Sequence, residues 1–190
     1  MPLIKESNKI GKKELGRIKM SKLVLISENN PNKSNPLISH FYRDMGFLMR
    51  IRGFQLLKYF DDLGHLVALD WFSFSRNQRL FTIQFDRPDL PVYLQVEPYL
   101  EQILSELSIF QLVDIFVFDE LGIIEPYVQQ IKQQIITIFS SKHPVIAAVD
   151  QSRIKEIDYL KHLNSVKYQH IENPDNEQLY LDLIGELYDR

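Results

Sequence analysis

The stretch Asp114–Glu125, DIFVFDELGIIE, decides the fold. Ile115, Phe116, Val117 and Phe118 are large and apolar with no alternation. A strand buried on both faces reads this way, and such strands belong to parallel sheets covered by helices. The run stops at Asp119 and Glu120, with Gly122 close behind. Open α/β sheets bind their ligands at the carboxyl ends of strands, so two carboxylates here stand where a ligand would be met. An apolar run ending in Asp-Glu is also a Walker B signature, in which the aspartate holds Mg²⁺ and the glutamate can orient a water. The competing reading is a solvated strand end, which acidic residues also suit. What separates the two is whether the chain carries a phosphate-binding partner.

The composition narrows the field. At 190 residues and 45% hydrophobic content the chain suits one domain, or a domain plus a tail. A net charge of −3 and a pI near 6.0 give no electrostatic case for bulk nucleic-acid binding. The absence of cysteine excludes disulfides, thiolate catalysis and cysteine-ligated zinc. No apolar run approaches the roughly 18 residues a membrane span needs, so a cytoplasmic protein with no membrane partner is expected.

Residues 1–21 are set apart by charge. Lys5, Lys9, Lys12, Lys13, Arg17 and Lys19 face only Glu6 and Glu14, and Gly11 and Gly16 interrupt any helix. They read as a mobile basic leader, or as a helix that docks only on a partner; the domain proper is expected over 22–190. Lys22–Ile26 (KLVLI) is a short buried-type strand. The next stretch, Ser27-Glu28-Asn29-Asn30-Pro31-Asn32-Lys33-Ser34, keeps the spacing of the phosphate-binding G-x-x-x-x-G-K-[ST] loop with both framing glycines replaced, by Ser27 and Asn32. Asn30 stands where many such loops have another glycine. Glycine serves there because the loop amides must converge on phosphates, with positive φ and no Cβ in the way. Asparagine tolerates the left-handed region better than most residues, but not the close approach. Lys33 keeps the charge for the outer phosphates and Ser34 the hydroxyl for Mg²⁺. An Asn/Ser/Pro-rich loop with an accidental Lys-Ser pair is the plainer alternative. Glu6–Lys13 (ESNKIGKK) has a true Gly-Lys pair but lacks the first glycine and the hydroxyl.

Asn35–Met45 is expected to be a helix, capped by Asn35, with Pro36 at its first position and Gly46 ending it. The order strand, polar loop, helix is the context a phosphate-binding loop requires. Short strands are expected at Phe47–Ile51, Gly53–Phe60, His65–Trp71 and Leu80–Phe85, as antiparallel hairpins beside the main sheet. Arg50 and Arg52 on them could face a phosphate or simply water. A Pro-rich bridge over Asp86–Pro98 leads to a helix at Tyr99–Phe110 and then to the acidic strand. A helix from Pro126 to about Phe139, a buried strand at Pro144–Val149, a helix from Ser152 to His162, a strand at Val166–His170 and a helix from about Asn176 to Tyr188 follow. Such alternation builds a parallel sheet with helices. The five histidines show no metal-ligand spacing.

The segment Asp119-Glu120-Leu121-Gly122-Ile123-Ile124-Glu125 resembles the D-E-I-G-x-M-E run of the small P-loop nucleoside-triphosphatase family first described in thermophiles, which has a human cancer-related relative. Gly46-Phe47 with Arg52-Gly53-Phe54, Tyr93 and the helix carrying Glu101-Gln102, Pro144–Val149, and Glu172-Asn173 before the last helix are similar to further family segments, in order. The resemblance covers roughly Lys22 to the end of the chain. It implies a RecA-like P-loop NTPase fold, α/β, with a mainly parallel sheet flanked by helices and an antiparallel hairpin insertion. It implies Mg²⁺-dependent hydrolysis of nucleoside triphosphates with broad base tolerance. By position, Lys33 would contact phosphates, with Ser27, Asn30, Asn32 and Ser34 completing the nucleotide loop. Ser34 and Asp119 would hold the metal, and Glu120 would polarise the water.

The departures cluster at the nucleotide. The loop lacks its glycines, Leu48 and Met49 stand where acidic residues usually follow the first Gly-Phe, and the segment from Ser34 to the second Gly-Phe is short. Two functions remain. One is a nucleotide-binding or scaffold protein with weak or absent hydrolysis, taking Mg²⁺ only with nucleotide and serving an unidentified protein partner. The other is an active Mg²⁺-dependent nucleoside-triphosphatase with a divergent loop.

Overall fold

The computed structural model describes residues 22–27, 35–163, 165–172 and 177–187. Seven strands form a single sheet: β1 (Lys22–Ser27), β2 (Ile51–Phe60), β3 (Leu66–Ser73), β4 (Gln78–Gln84), β5 (Ile115–Phe118), β6 (Val145–Asp150) and β7 (Val166–Ile171), in the order β4-β3-β2-β5-β6-β1-β7. The five strands from β2 to β7 in that order are parallel; β3 and β4 add an antiparallel edge on β2. The acidic strand β5 is thus central, and β6 lies between it and β1.

Every residue of β1, β5 and β6 is buried, as their unbroken apolar runs require. Alternate residues feed opposite faces. Leu23, Leu25, Ile115, Val117, Ile146 and Ala148 pack beneath α1 (Pro36–Met45), whose Leu37, Ile38, Phe41 and Met45 supply its buried stripe. Val24, Ile26, Phe116, Phe118, Val145 and Ala147 face the other way, against Ile131, Ile135, Ile138 and Phe139 of the Gln129–Ser140 helix. The connections leaving β1 and β5 therefore go to opposite faces. That reversal opens a crevice at the carboxyl ends of β1, β6 and β5, where doubly wound sheets bind ligands.

Several expectations need correction. Phe47–Ile51 is not a strand: 46–49 form a turn after α1, with Phe47 97% and Leu48 58% exposed. Arg52-Gly53 is not a break between hairpin strands, because β2 runs through it, and β2 is a parallel member of the main sheet. Gly53 has φ +120°, and a Cβ there would lie 1.9 Å from the Val117 carbonyl oxygen across the ladder. The glycine marks close backbone approach rather than a turn. The bridge from 86 onward already coils at α2 (Val92–Val96) and passes through a 3₁₀ turn, Glu97–Tyr99, into α3 (Leu100–Glu106). Helix α4 (Gln129–Ser140) begins beyond Pro126, and 151–160 is a 3₁₀ helix whose cap is Asp150 rather than Ser152. The last helix, α5, runs Glu177–Leu187. Among the described residues no helix is long and apolar enough to cross a membrane.

Candidate nucleotide site

The crevice is built from strand ends. Ser27 closes β1 and pairs in register with Asp150 at the end of β6. Residues 28–34 lie outside the described residues, and with them Asn30, Asn32, Lys33 and Ser34; of the expected loop, Ser27 alone is placed, buried at the strand end. On the far side of that segment Asn35 caps α1, its side-chain oxygen accepting from the Leu37 amide at 3.0 Å. Strand β1 and helix α1 thus flank the 28–34 segment on either side.

Asp119 joins the two halves of the site. Its amide donates to the Phe54 carbonyl at 2.9 Å, extending the ladder one residue past β5. Its Oδ1 accepts from the Asn35 amide at 3.2 Å, which ties the acidic strand to the first turn of α1. Its Oδ2 is buried with no partner among the described residues. Burial, reinforced by the neighbouring Glu120 charge, raises the Asp119 carboxyl well above the usual carboxylate range, while the Asn35 amide, Lys58 and Gln55 pull the other way. A divalent cation fits that donor: the open oxygen of a buried carboxylate gains a ligand, and a positive charge offsets the desolvation.

Glu120 adopts φ +63°, a left-handed conformation that a non-glycine residue enters at a cost of about 1 kcal/mol. The turn is fixed on both sides. The Leu121 amide donates to the Ala148 carbonyl at 2.9 Å, and buried Glu125 accepts from the Gly122 and Ile124 amides, each at 3.1 Å. Burial pushes the Glu125 carboxyl up to about 7. Gly122, at φ +89°, lies beneath the 151–160 helix; a Cβ there would be 3.1 Å from Glu156 Cβ and 3.3 Å from the Arg153 carbonyl oxygen.

The structure adds residues that the sequence reading missed. β2 pairs with β5 only over Ile51–Phe54, so its last residues overhang the carboxyl end of β5. From that overhang Lys58 reaches Glu120 Oε1 at 2.8 Å, with both side chains only 6% exposed. The second oxygen of Glu120 has no partner among the described residues. Lys58 and Glu120 share a hollow of about 130 Å³ with Asp150, Ser152 and Arg153. Asp150 Oδ1 accepts from the Ser152 amide at 2.8 Å and from its hydroxyl. Nothing local marked Lys58, whose partner is 62 positions away. Asp150 carried the signal that singled out Asp119, an acid closing a buried apolar run, and was legible.

Other candidates fall away from the crevice. Arg50 is paired with Asp114 at 2.6 Å, and Arg52 donates to the Ser105 carbonyl at 3.1 Å, at the opposite, amino-terminal edge of the sheet. Larger hollows of about 210 and 490 Å³ lie by Tyr42 and Phe74 near that edge, without carboxylates in their walls. No group of three or more potential metal-ligating side chains occurs among the described residues.

A central acidic strand, a strand–loop–helix one strand removed from it, and a mostly parallel sheet covered on both faces define a P-loop NTPase-like fold. A family model described as NTPase matches residues 74–184, more than half of the chain, and the chain belongs to that family. The crystal structure of THEP1 from the hyperthermophile Aquifex aeolicus superposes with a TM-score of 0.56 over 89% of this chain and 99% of that one, at 12% identity. At that identity the likeness is one of fold. No curated protein matches the chain.

Proposed function

We propose that this nucleoside-triphosphatase-like protein binds a nucleoside triphosphate at the carboxyl ends of β1, β6 and β5, and hydrolyses it weakly or not at all. The observation that carries the binding half is Asp119: buried, fastened by one oxygen to the start of α1, and open at the other. In this reading residues 1–21 are a basic leader and 22–190 the nucleotide domain. Ser27, Asn30, Asn32, Lys33 and Ser34 surround the phosphates, and Ser34 and Asp119 would hold Mg²⁺, which would neutralise phosphate charge when bound. The setting is cytoplasmic, and an unidentified protein partner would receive the nucleotide-dependent signal.

Weak hydrolysis is supported by two features. The 27–34 segment has no glycine. Phosphoryl transfer rests on positioning, where an error of about 1 Å can cost on the order of 100-fold. Lys58 also holds one oxygen of Glu120 in an ion pair. The second reading, an active nucleoside-triphosphatase releasing diphosphate and phosphate, draws on the other oxygen of Glu120, which is buried without a partner among the described residues.

Calorimetric titration with MgATP and MgGTP tests the proposal. Binding in the micromolar range that disappears in Lys33→Ala is expected; binding unaffected by that change would remove the phosphate-loop assignment. Phosphate release with Glu120→Gln as control separates the two readings. Slow turnover that the variant leaves unchanged fits the first, and rapid turnover lost in the variant establishes the second.

A further inference from the structure

We infer that the amino-terminal edge of the sheet is a docking surface for an anionic lipid bilayer, its apolar side chains entering the acyl region and its basic ones meeting the headgroups. The inference is independent of nucleotide binding. Among the described residues four large apolar side chains are more than three-quarters exposed: Phe47 at 97%, Phe110 at 93%, Leu63 at 81% and Leu112 at 76%. Leu63 stands alone on the β2–β3 turn. The other three lie on the turns that lead into β2 and β5, which are neighbouring parallel strands, so they project from one edge. The two turns are fastened together: Asp114 accepts from the Arg50 amide at 2.8 Å, and Leu112 shares a hollow with Gly46 and Met49.

Strand direction sorts the charges. The amino-terminal edge carries Arg52 at the start of β2, Lys142 ahead of β6, and Arg76 on the β3–β4 turn, which falls there because antiparallel β3 ends opposite Phe54. None of the three forms an ion pair among the described residues; Arg52 donates only to the Ser105 and Glu106 carbonyls. The carboxylates at this edge are already engaged: Asp44 with Arg43, Asp114 with Arg50, and buried Glu106 with Ser75. At the carboxyl edge acids predominate, with Asp61, Asp62, Asp86, Asp119, Glu120 and Asp150. Residues 1–21, six basic against two acidic, join the domain at Lys22, where β1 starts on the amino-terminal edge. Residues 22–190 hold sixteen basic against twenty-three acidic. Positive charge thus enters an acidic domain at the edge where the apolar side chains protrude. Apolar insertion together with basic residues is the pair of signals that holds a protein to an anionic interface.

A bilayer fits this edge better than a folded partner does. Phe47 and Phe110 stand almost clear of their own chain, and a protein would need a matched pocket for each. Fluid acyl chains close around either without one. The acidic crevice lies at the opposite edge, facing away from the lipid. Contact with a lipid surface needs no spanning helix, so the absence of one among the described residues stands. What changes is the expectation of no membrane partner, which followed from span length alone.

The test is co-sedimentation of the full chain with vesicles of phosphatidylcholine alone, and of phosphatidylcholine and phosphatidylserine in equal parts. Binding is expected with the mixed vesicles only. It should weaken by about tenfold or more when Phe47→Ser and Phe110→Ser are combined, and by about fivefold in Arg76→Ala. Circular dichroism of these variants should match the wild type, because the side chains changed are exposed. In mixed vesicles with brominated acyl chains, Phe47→Trp is expected to be quenched, whereas the buried Trp71 of the wild type is not. No sedimentation with mixed vesicles overturns the inference; self-association abolished by Phe47→Ser would then give the edge to a second copy of the chain. Equal binding to both kinds of vesicle overturns it by removing the anionic requirement. Binding that survives the double serine change overturns it too, since residues 1–21 would then attach without this face.

Discussion

Glu120 and Lys58 sit 2.8 Å apart with almost no access to water, so each is the condition for burying the other. Lys58→Met removes the counter-charge and leaves a buried carboxylate uncompensated, a change that costs about 3 kcal/mol in comparable pairs. Urea denaturation is expected to show that loss, and the double change Lys58→Met with Glu120→Leu to recover most of it. Equal stability of Lys58→Met and wild type would mean that the pair opens to solvent. Glu125 gives a pH signature. Burial lifts its carboxyl from the ordinary 4.5 to about 7, so the folded protein binds the proton more tightly than the unfolded chain. Its contribution therefore favours folding at low pH, declines as pH rises from about 4.5 to 7, and is constant above. A displacement of that size corresponds to at most about 3 kcal/mol. Glu125→Gln, neutral at every pH, is expected to lose less stability than wild type between pH 5 and pH 8 on urea titration. Parallel curves for the two proteins would show that Glu125 does not titrate in this window. The two acids of the Walker-like run were readable in the sequence because their chemistry follows a buried strand directly. Lys58 was not, since a lysine among mixed residues of a long strand looks like any solvent-facing one.

At the scale of elements, β2 decides the shape of the site. Its length, Ile51–Phe60, against the four residues of β5 creates the overhang that sets Gln55 beside Asp119 and carries Lys58 past it. Gly53 makes the pairing possible, its missing Cβ replaced by the Val117 carbonyl oxygen. Gly53→Ala combines that clash with a φ of +120° and is expected to destabilise the protein by at least about 3 kcal/mol, read as a lowered urea midpoint or loss of soluble protein. A variant of wild-type stability would mean that β2 can pair with β5 in another register. The glycine misled the strand reading because glycine next to a charged residue is an ordinary turn signal; only the neighbouring strand shows why it is needed. Helix α1 was legible nearly to the residue, since Asn35, Pro36 and Gly46 mark its ends by local chemistry. The Gln151–Leu160 segment kept its coiled character, but its cap moved to Asp150, whose carboxylate reaches the Ser152 amide.

Across the whole molecule, one cluster runs from the antiparallel edge to the parallel centre. Trp71, the sole tryptophan, is fully buried on β3, 4.1 Å from Phe54, which in turn lies 5.2 Å from Phe118 of the acidic strand. Tryptophan fluorescence and far-ultraviolet circular dichroism are therefore expected to give one shared unfolding midpoint in urea. Separated midpoints would mean that β2–β4 unfold independently of the sheet that holds the site. The sequence by itself determined the α/β class, the buried strands, the helix that follows the polar loop, and the carboxylates Asp119 and Glu120. Each is written in periodicity or in neighbouring residues, and such signals act over a few positions. Only the tertiary structure decided that β2 joins the parallel sheet, that Lys58 holds Glu120, and that Asp150 and Arg153 share its hollow. Those arrangements depend on which strands lie side by side, and strand order is set by packing between residues far apart in the chain.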